Sequence, residues 1–315
     1  MSRARTRNSV FVLVMVLMLW SVMADAPAFV ADRVAPVASA GPAHANPEGA
    51  TFVGPMRDIS REELNLLDIA EQTLERQCME RGGFKLWVAP KDAATQRRSF
   101  PYVVDDIDYA ATHGYGGRQR LLEDQRARTD PNQRYFESLP ADRKAAAAVA
   151  ANGSRPVGLE AKLPNGMVVQ HSDQGCSAEA QRELYGDLRA WYQAKKTAEA
   201  LPGIRNGLVT GDPDLRSGLP AWSECMRARG LNYRAPDEIR VALPKPDQPG
   251  AHETEVRLAV AEATCAQQTG LAKTARELDL RYAARLGDQY RKDLDAMRRL
   301  QLTALPRAAA IVAGR

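Results

Sequence analysis

Two stretches of ten residues, CMERGGFKLW at 78–87 and CMRARGLNYR at 225–234, are spelled almost alike and contain two of the four cysteines. Both follow the pattern Cys-Met-x-x-x-Gly-apolar-x-apolar, with the glycine at Gly83 and Gly230. A glycine directly after a helical pattern is typical of the left-handed residue that ends an α-helix. Each stretch therefore predicts the end of a helix that carries a cysteine.

A helix is predicted before each of these stretches. The first begins at Ser60, with Glu63 three residues later in the pattern of a capping box. The second begins at Asp212, with Pro213 at its first helical position and Pro220 inside it, where a kink is expected. Apolar residues recur at helical spacing in both segments, namely Leu64, Leu67 and Leu74 in the first and Leu215 and Trp222 in the second.

The other two cysteines precede amphipathic helical patterns. The pattern after Cys176 is expected to end at Pro202-Gly203. The pattern after Cys265 keeps one apolar stripe and predicts a long C-terminal helix over about 272–304. Each of these cysteines is therefore expected at the start of a long helix.

These positions predict the disulfides Cys78–Cys176 and Cys225–Cys265, each joining the end of one helix to the start of the next. Four cysteines allow three connectivities, and the repeat favours this one because it pairs within each copy. A four-cysteine zinc site is the alternative. Zinc ligands usually come as close Cys-x-x-Cys pairs, whereas these cysteines are 98, 49 and 40 residues apart. A redox catalyst would also use a Cys-x-x-Cys pair, which this sequence does not contain.

The N-terminal residues predict export. Three arginines precede an apolar run over 10–24, whose helix would reach roughly 22 Å and would not cross the roughly 30 Å hydrocarbon layer. Small residues follow, so 1–24 is interpreted as a secretory signal peptide cleaved after Ala24 or slightly later. An uncleaved N-terminal anchor is the alternative. Residues 25–55, rich in Ala and Pro, are predicted to be a flexible spacer because they bury too little apolar surface to offset their ordering entropy.

The mature chain predicted by this cleavage is nearly neutral. The sequence has 315 residues, with 43 Lys and Arg, 39 Asp and Glu, and a net charge of +4. Removal of the three signal-peptide arginines from the 43 basic residues leaves 40 against 39 acidic residues, a net charge of +1. This balance argues against a nucleic-acid partner. The disulfides agree with a secreted protein, extracellular or associated with the cell wall, because such bonds persist in oxidising surroundings.

The cysteine pairs divide the rest of the chain into two predicted helical units. The first covers 56–205 and contains an insertion at about 88–172, and the second covers 206–315 and ends in the long helix. Short alternating runs on either side of Pro-Asn-Gly at 164–166 predict a β-hairpin. The predicted fold class is therefore mainly α, with two disulfide-tied helical repeat units, an inserted β-hairpin and an irregular segment. The long helix is alternatively an oligomerisation element, and the sequence leaves the oligomeric state open.

The insertion contains the stretch FPYVVDDIDYAATHGYGGR at 100–118, the densest mixture of aromatic, acidic and glycine residues in the chain. Additions to a scaffold often carry function, so we place a candidate functional surface here. Its residues are Asp105, Asp106, Asp108, Tyr109, His113 and His171. The carboxylates with His113 could bind a cation or act in acid–base chemistry. They fit equally well the acidic first turn and the last turn of a short helix.

The sequence favours a binding protein over an enzyme. An EF-hand loop counted from Asp106 would need glycine and glutamate where the chain has Ala111 and Gly117. The Gly-x-Ser-x-Gly, His-Glu-x-x-His and phosphate-loop motifs are absent. We expect a non-enzymatic secreted or envelope-associated protein that binds an unidentified partner or small ligand, with no catalytic residue, metal or cofactor. An extracellular hydrolase using the acidic residues and His113 is the alternative, and membrane contact is expected only through an uncleaved signal.

Four segments of the chain together resemble a group of secreted actinomycete proteins with paired cysteines. They are FPYVVDDIDYAATHGYG at 100–116, PNQRYFESLPADRKAA at 131–146, GCSAEAQRELYGDLRAWY at 175–192 and WSECMRARGLNY at 222–233. The resemblance covers most of 60–300, and the composition rich in Arg and Ala agrees with that source. The group has no assigned activity, so the resemblance implies a compartment and a source, and it implies no catalytic residues.

Overall fold

The computed structural model describes residues 56–89 and 98–314. In this part of the chain the elements are α1 (Arg61–Arg81), α2 (Ile107–His113), α3 (Gly117–Thr129), α4 (Pro131–Ser138), α5 (Ala141–Asn152), β1 (Gly158–Lys162), β2 (Val168–Ser172), α6 (Cys176–Tyr185), α7 (Leu188–Gly211), α8 (Pro213–Arg227), α9 (Pro236–Ala242), α10 (Ala251–Gln268), α11 (Leu271–Gln289) and α12 (Arg291–Ala313). The prediction of a mainly helical fold with one hairpin is confirmed. The predicted signal peptide at 1–24 and spacer at 25–55 lie outside the described residues.

The two similar stretches end α1 and α8 in the same way. The amide of Phe84 donates to the carbonyl of Met79 over 2.9 Å, and the amide of Leu231 donates to the carbonyl of Met226 over 3.0 Å. The glycine before each donor has a positive φ, 76° in the first copy and 75° in the second. This six-to-one hydrogen bond with a left-handed glycine is the Schellman motif. The prediction that each stretch is a helix end carrying a cysteine is confirmed.

Both predicted disulfides are present. Cys78 is bonded to Cys176 with their Cα atoms 5.4 Å apart, and Cys225 is bonded to Cys265 with their Cα atoms 5.7 Å apart. Cys176 is the first residue of α6, as predicted. The prediction that Cys265 begins a helix is wrong, because Cys265 lies near the end of α10. The second disulfide therefore joins two helix ends, and repeat units larger than the shared helix end stay a prediction.

The helix predicted after Cys176 is two helices. It stops at Gly186, which has a φ of 80°, and α7 begins after Asp187, whose carboxylate accepts from the amide of Ala190. The predicted stop at Pro202-Gly203 is wrong, since α7 continues through Pro202 to Gly211. An interior proline costs about 3 kcal/mol, and α7 offsets this cost by packing against β1, α11 and α12.

The long C-terminal helix predicted over about 272–304 is also two helices. The break is at Tyr290, where α11 ends and α12 begins. The phenol of Tyr290 donates to the carbonyl oxygen of Pro164 in the hairpin turn over 3.2 Å. The break therefore lies where the hairpin contacts the helices.

Two of the buried apolar clusters organise the described helices. One lies among α1, α6, α7 and α12 and includes Leu67, Trp191 and Ala304. The other lies among α8, α9, α10 and α11 and includes Trp222 and Met226, both fully buried. The apolar face of α12 thus packs on α1, at the other end of the described chain. The described residues form one compact unit, and the predicted division between 205 and 206 falls inside α7.

The hairpin packs on α7. Strands β1 and β2 are antiparallel, with Leu159 opposite His171, in agreement with the prediction. The side-chain amide of Gln193 on α7 accepts from the amide of Lys162 over 2.9 Å and donates to its carbonyl over 3.1 Å. The backbone amide and carbonyl of Lys162, at the end of β1, are therefore both satisfied by a helix side chain. Among the described helices, none is both long enough and apolar enough to cross a membrane.

Candidate functional site

Three of the six candidate residues line one open cavity at the start of α2. The cavity has a volume of about 430 Å³, and its described lining residues are Arg98, Asp105, Asp106, Ile107, Asp108, Gln267 and Arg276. The segment before α2, the first turn of α2, and helices α10 and α11 each contribute to this lining. The site is therefore made by residues that are far apart in the sequence.

Asp106 is the N-cap of α2. Its carboxylate accepts from the amide of Tyr109 over 2.8 Å and forms an ion pair with Arg98. The hydrogen bond from the Tyr109 amide, together with the bond from Arg98, lowers the pKa of Asp106. A cap and an ion pair occupy this carboxylate, which confirms the interpretation of the acidic run as the first turn of a helix.

The other two carboxylates of the cavity differ in their partners. Asp105 forms an ion pair with Arg276 over 3.1 Å, and its carbonyl oxygen accepts from Gln267 over 3.1 Å. Asp108 is exposed, and its carboxylate forms no ion pair with any described residue. The cavity thus presents two arginine–aspartate pairs and one further carboxylate that faces solvent.

The remaining candidate residues do not line the cavity. The rings of Tyr109 and His113 stack on each other with centroids 4.5 Å apart, and Nδ1 of His113 is buried without a hydrogen-bond partner among the described residues. His171 lies on β2, where Nδ1 is 3.0 Å from the Ser172 carbonyl oxygen and the ring packs near Tyr192. The structure therefore brings Asp105, Asp106 and Asp108 together and leaves both histidines elsewhere.

The stretch at 100–118 docks against α10 through Glu262. This carboxylate is fully buried and accepts from the amide of Val104 over 2.7 Å, from the Tyr115 phenol, and from Arg240 over 3.3 Å. Burial raises the pKa of Glu262, and burial beside this carboxylate also raises the pKa of Tyr115. A chain segment from the insertion is therefore held by a single buried acid.

Glu255 lies two helical turns earlier on the same face of α10. Its Oε1 accepts from the amide of Gly117, at the start of α3, over 2.8 Å. A Cβ atom on Gly117 would lie 2.5 Å from Oε2 of Glu255, and one on Gly114 would lie 2.7 Å from its Cγ. The glycines at 114 and 117 therefore allow the chain to approach this carboxylate closely.

Glu255 and Glu262 were not singled out from the sequence. They are 138 and 158 residues after the amides that they bind. The sequence signal that could have found them is an acidic residue within an apolar helical stripe, since both acids lie on the face of α10 that carries the buried Leu258 and Ala259. An acid inside an apolar stripe is rare unless a partner satisfies it. That signal indicates a buried partner but does not identify the segment that supplies it.

A second open cavity, of about 360 Å³, lies where the hairpin turn meets α7, Tyr290 and the start of α12. Its carboxylate, Asp293, accepts from Thr197 over 2.6 Å and from Gln193 over 3.1 Å. These polar groups satisfy one another and fix the turn. In the described part of the chain, no group of three or more His, Cys, Asp or Glu side chains could hold a metal ion.

No protein family, curated protein or solved structure matches this chain.

Proposed function

We propose that the protein is a secreted, non-enzymatic binding protein, extracellular or associated with the cell wall, and that the rim of the cavity at α2 contacts its partner. The basic and apolar start of the sequence and the two disulfides support the compartment. The cavity supports the location of the contact, since it is lined by residues of an insertion docked on a helical scaffold.

The observation that carries this proposal is that two buried glutamates hold the segment at the cavity rim, which consists of Asp105, Asp108 and Arg276. Glu262 and Glu255 bind amides on both sides of α2, so the segment that bears the cavity is fixed before any partner arrives. A fixed polar surface loses little conformational entropy on binding. The exposed carboxylate of Asp108 and the paired Arg276 give the partner charges of both signs to contact.

The partners of Asp105 and Asp106 favour binding over catalysis, because both carboxylates are already engaged in ion pairs. Asp106 has both a cap and an ion pair, and its lowered pKa makes it a weak base. A general base works best when its pKa lies near the working pH. The histidines at 113 and 171 lie outside the cavity lining, so neither imidazole stands beside these carboxylates.

The test measures how much mature protein co-sediments with the isolated cell-envelope fraction of the producing organism. We expect Asp108→Lys and Arg276→Glu each to lower the bound fraction about tenfold, because each places a wrong charge on the rim. Glu123→Lys is the matched control, since Glu123 is exposed on α3 and does not line the cavity. Equal binding by all three variants and the wild type would show that the cavity rim is not the contact.

Point variants are preferred to deletion of the insertion. Removal of the segment at 98–129 would take away the Val104 amide that Glu262 of α10 binds and the Phe100 carbonyl oxygen that Arg240 of α9 binds, and the loss of binding would then report unfolding. Mass spectrometry of the unreduced secreted protein tests the compartment separately. We expect an N-terminus at or after residue 25 and no free thiol, and free thiols in the secreted protein would contradict the proposal.

A further inference from the structure

The two disulfides have different charges beside their more accessible sulfur. Nη1 of Arg229 donates to Sγ of Cys225 over 2.8 Å, and Nη2 of the same residue donates to Gln268 over 2.9 Å. In the other disulfide, Oε2 of Glu179 lies 3.5 Å from Sγ of Cys78. A cation therefore touches one disulfide, and a carboxylate that is ion-paired with Arg81 stands beside the other.

Access to the two sulfurs of the Cys225–Cys265 bond is unequal. Cys225 is only partly buried, and the arginine that touches it is exposed. Cys265 is 0% exposed and packs in the cluster among α8, α9, α10 and α11. Cys225 is therefore the more accessible of the two bonded cysteines to a thiolate in solution.

We propose that Cys225 is a thiol-exchange site, at which an external thiolate attacks Sγ and forms a mixed disulfide. The Cys225–Cys265 bond breaks in this step, and the electron pair goes to Cys265, which takes up a proton. A second external thiol attacks the reagent sulfur of the mixed disulfide and releases Cys225 as a thiolate. The net reaction oxidises two external thiols to one disulfide and reduces the protein bond to two thiols.

Arg229 favours both steps. Its charge attracts the incoming thiolate to Cys225, and it stabilises the Cys225 thiolate that leaves in the second step. Cys225 lies in the last turn of α8, where the helix dipole alone would disfavour an anion. The direct contact with the guanidinium offsets this effect at the sulfur.

The experiment incubates native protein with dithiothreitol or reduced glutathione, quenches with an alkylating reagent and quantifies each cysteine peptide by mass spectrometry. We expect Arg229→Gln to slow the opening of Cys225–Cys265 about threefold, because a change of roughly one unit in thiol pKa acts on the rate through a Brønsted slope of about 0.4–0.5. The Cys78–Cys176 bond should open at the wild-type rate. Arg227→Gln is the matched control, because Arg227 is an exposed arginine of the same turn that pairs with Glu224.

Two further readouts separate the charge effect from a change in stability. The difference between wild type and Arg229→Gln should shrink in 1 M salt, where exposed charges are screened within roughly 3 Å. With glutathione, the mixed disulfide should form on Cys225 and not on Cys265. The proposal is overturned if Arg229→Gln opens at the wild-type rate, if it slows both disulfides equally, or if glutathione is found on Cys265.

Discussion

Gly114 faces the Glu255 side chain of α10 with a φ of 58° and a ψ of −127°. A Cβ at this position would lie 2.7 Å from Cγ of Glu255 and 3.1 Å from its backbone carbon. Side chains with a Cβ rarely adopt this backbone conformation. The close approach of α2 to α10 therefore depends on the absence of one methyl group.

We expect Gly114→Ala to lower the free energy of unfolding by about 3 kcal/mol, since strained backbone and overpacking each cost roughly 1–3 kcal/mol. Gly270→Ala is the matched control, because Gly270 also has a positive φ, of 80°, but has nothing within 4 Å of its Cβ position. It should cost about 1 kcal/mol, the backbone term alone. Urea unfolding measures both free energies. Equal losses for the two variants would show that the Glu255 side chain moves away from the added methyl group at no cost in stability.

Two buried carboxylates are expected to respond to pH in opposite directions. Burial raises the pKa of Glu262, so the folded protein binds that proton more tightly than the unfolded chain. Hydrogen bonds from Tyr282 and from the amide of Asp214, with Arg281 nearby, lower the pKa of Asp212. The first group therefore costs stability as the pH rises, and the second contributes stability that is lost as the pH falls.

The measurement is urea unfolding of wild type, Glu262→Gln and Asp212→Asn between pH 3 and pH 7. Relative to Glu262→Gln, the wild type should be most stable at pH 3, below the unfolded pKa of Glu, and lose that advantage as the pH rises through the raised pKa. Relative to Asp212→Asn, its advantage should be full at pH 7 and begin to decline below about pH 4, as the pH falls toward the lowered pKa of Asp212. If the stability advantage of the wild type over Glu262→Gln instead grows with pH, the hydrogen bonds from Val104, Tyr115 and Arg240 lower the pKa of Glu262 by more than burial raises it.

Helix boundaries were predictable where a local group sets them. Ser60 with Glu63 forms the capping box that begins α1, and Pro213 is the first residue of α8, as predicted. Both of these signals lie within one turn of the boundary that they fix. The helix end predicted at Pro202 is wrong because the cost of an interior proline is offset by packing elsewhere, here by the contacts of α7 with α11 and α12.

The candidate site was partly predictable for the same reason. The cap at Asp106 is a local pattern, and the helix that it begins was expected. The pairing of Asp105 with Arg276 spans 171 residues, and the docking of Val104 on Glu262 spans 158. No local pattern specifies such a partner, so the sequence placed the acids on a short helix without showing what neutralises them.

The disulfides tie helices over loops of different length, 98 residues for Cys78–Cys176 and 40 residues for Cys225–Cys265. Chain-entropy arguments assign roughly 5 kcal/mol to the longer loop and roughly 4 kcal/mol to the shorter one. We expect replacement of both cysteines of a pair by alanine to lower the free energy of unfolding, and the loss to be larger for the first pair. Denaturant unfolding of the two double variants tests this order, and a larger loss at the second pair would show that packing around Cys265 outweighs loop entropy.

The chain as a whole connects its two main clusters at several points. Helix α7 packs against α8 and α11 as well as against α6 and α12, so it contacts both clusters. Arg205 on α7 forms an ion pair with Asp279 on α11 over 2.9 Å. Helix α12 continues from α11 and returns to α1. Elements from both sides of residue 205 therefore depend on one another, and cooperative unfolding is the physical consequence.

Tryptophan fluorescence distinguishes one cooperative unit from two. Trp191 lies in the cluster with α1 and α12, and Trp222 lies in the cluster with α10 and α11. Variants of the mature chain that keep only one of these tryptophans, with phenylalanine at the other positions, report each cluster separately. We expect Leu67→Ala, which removes a buried side chain at a cost of about 2–5 kcal/mol, to shift the urea midpoint by the same amount at both probes.

Val241→Ala is the control for this comparison, because Val241 is 88% exposed and its loss should move neither midpoint. If Leu67→Ala moves the Trp191 transition and leaves the Trp222 transition in place, the chain unfolds as two units. That result would support the division at residue 205 that the cysteine spacing predicts, and the contacts of α7 and α12 would then be too weak to couple the clusters. Coincident midpoints would instead show that α7 and α12 transmit the loss from one cluster to the other.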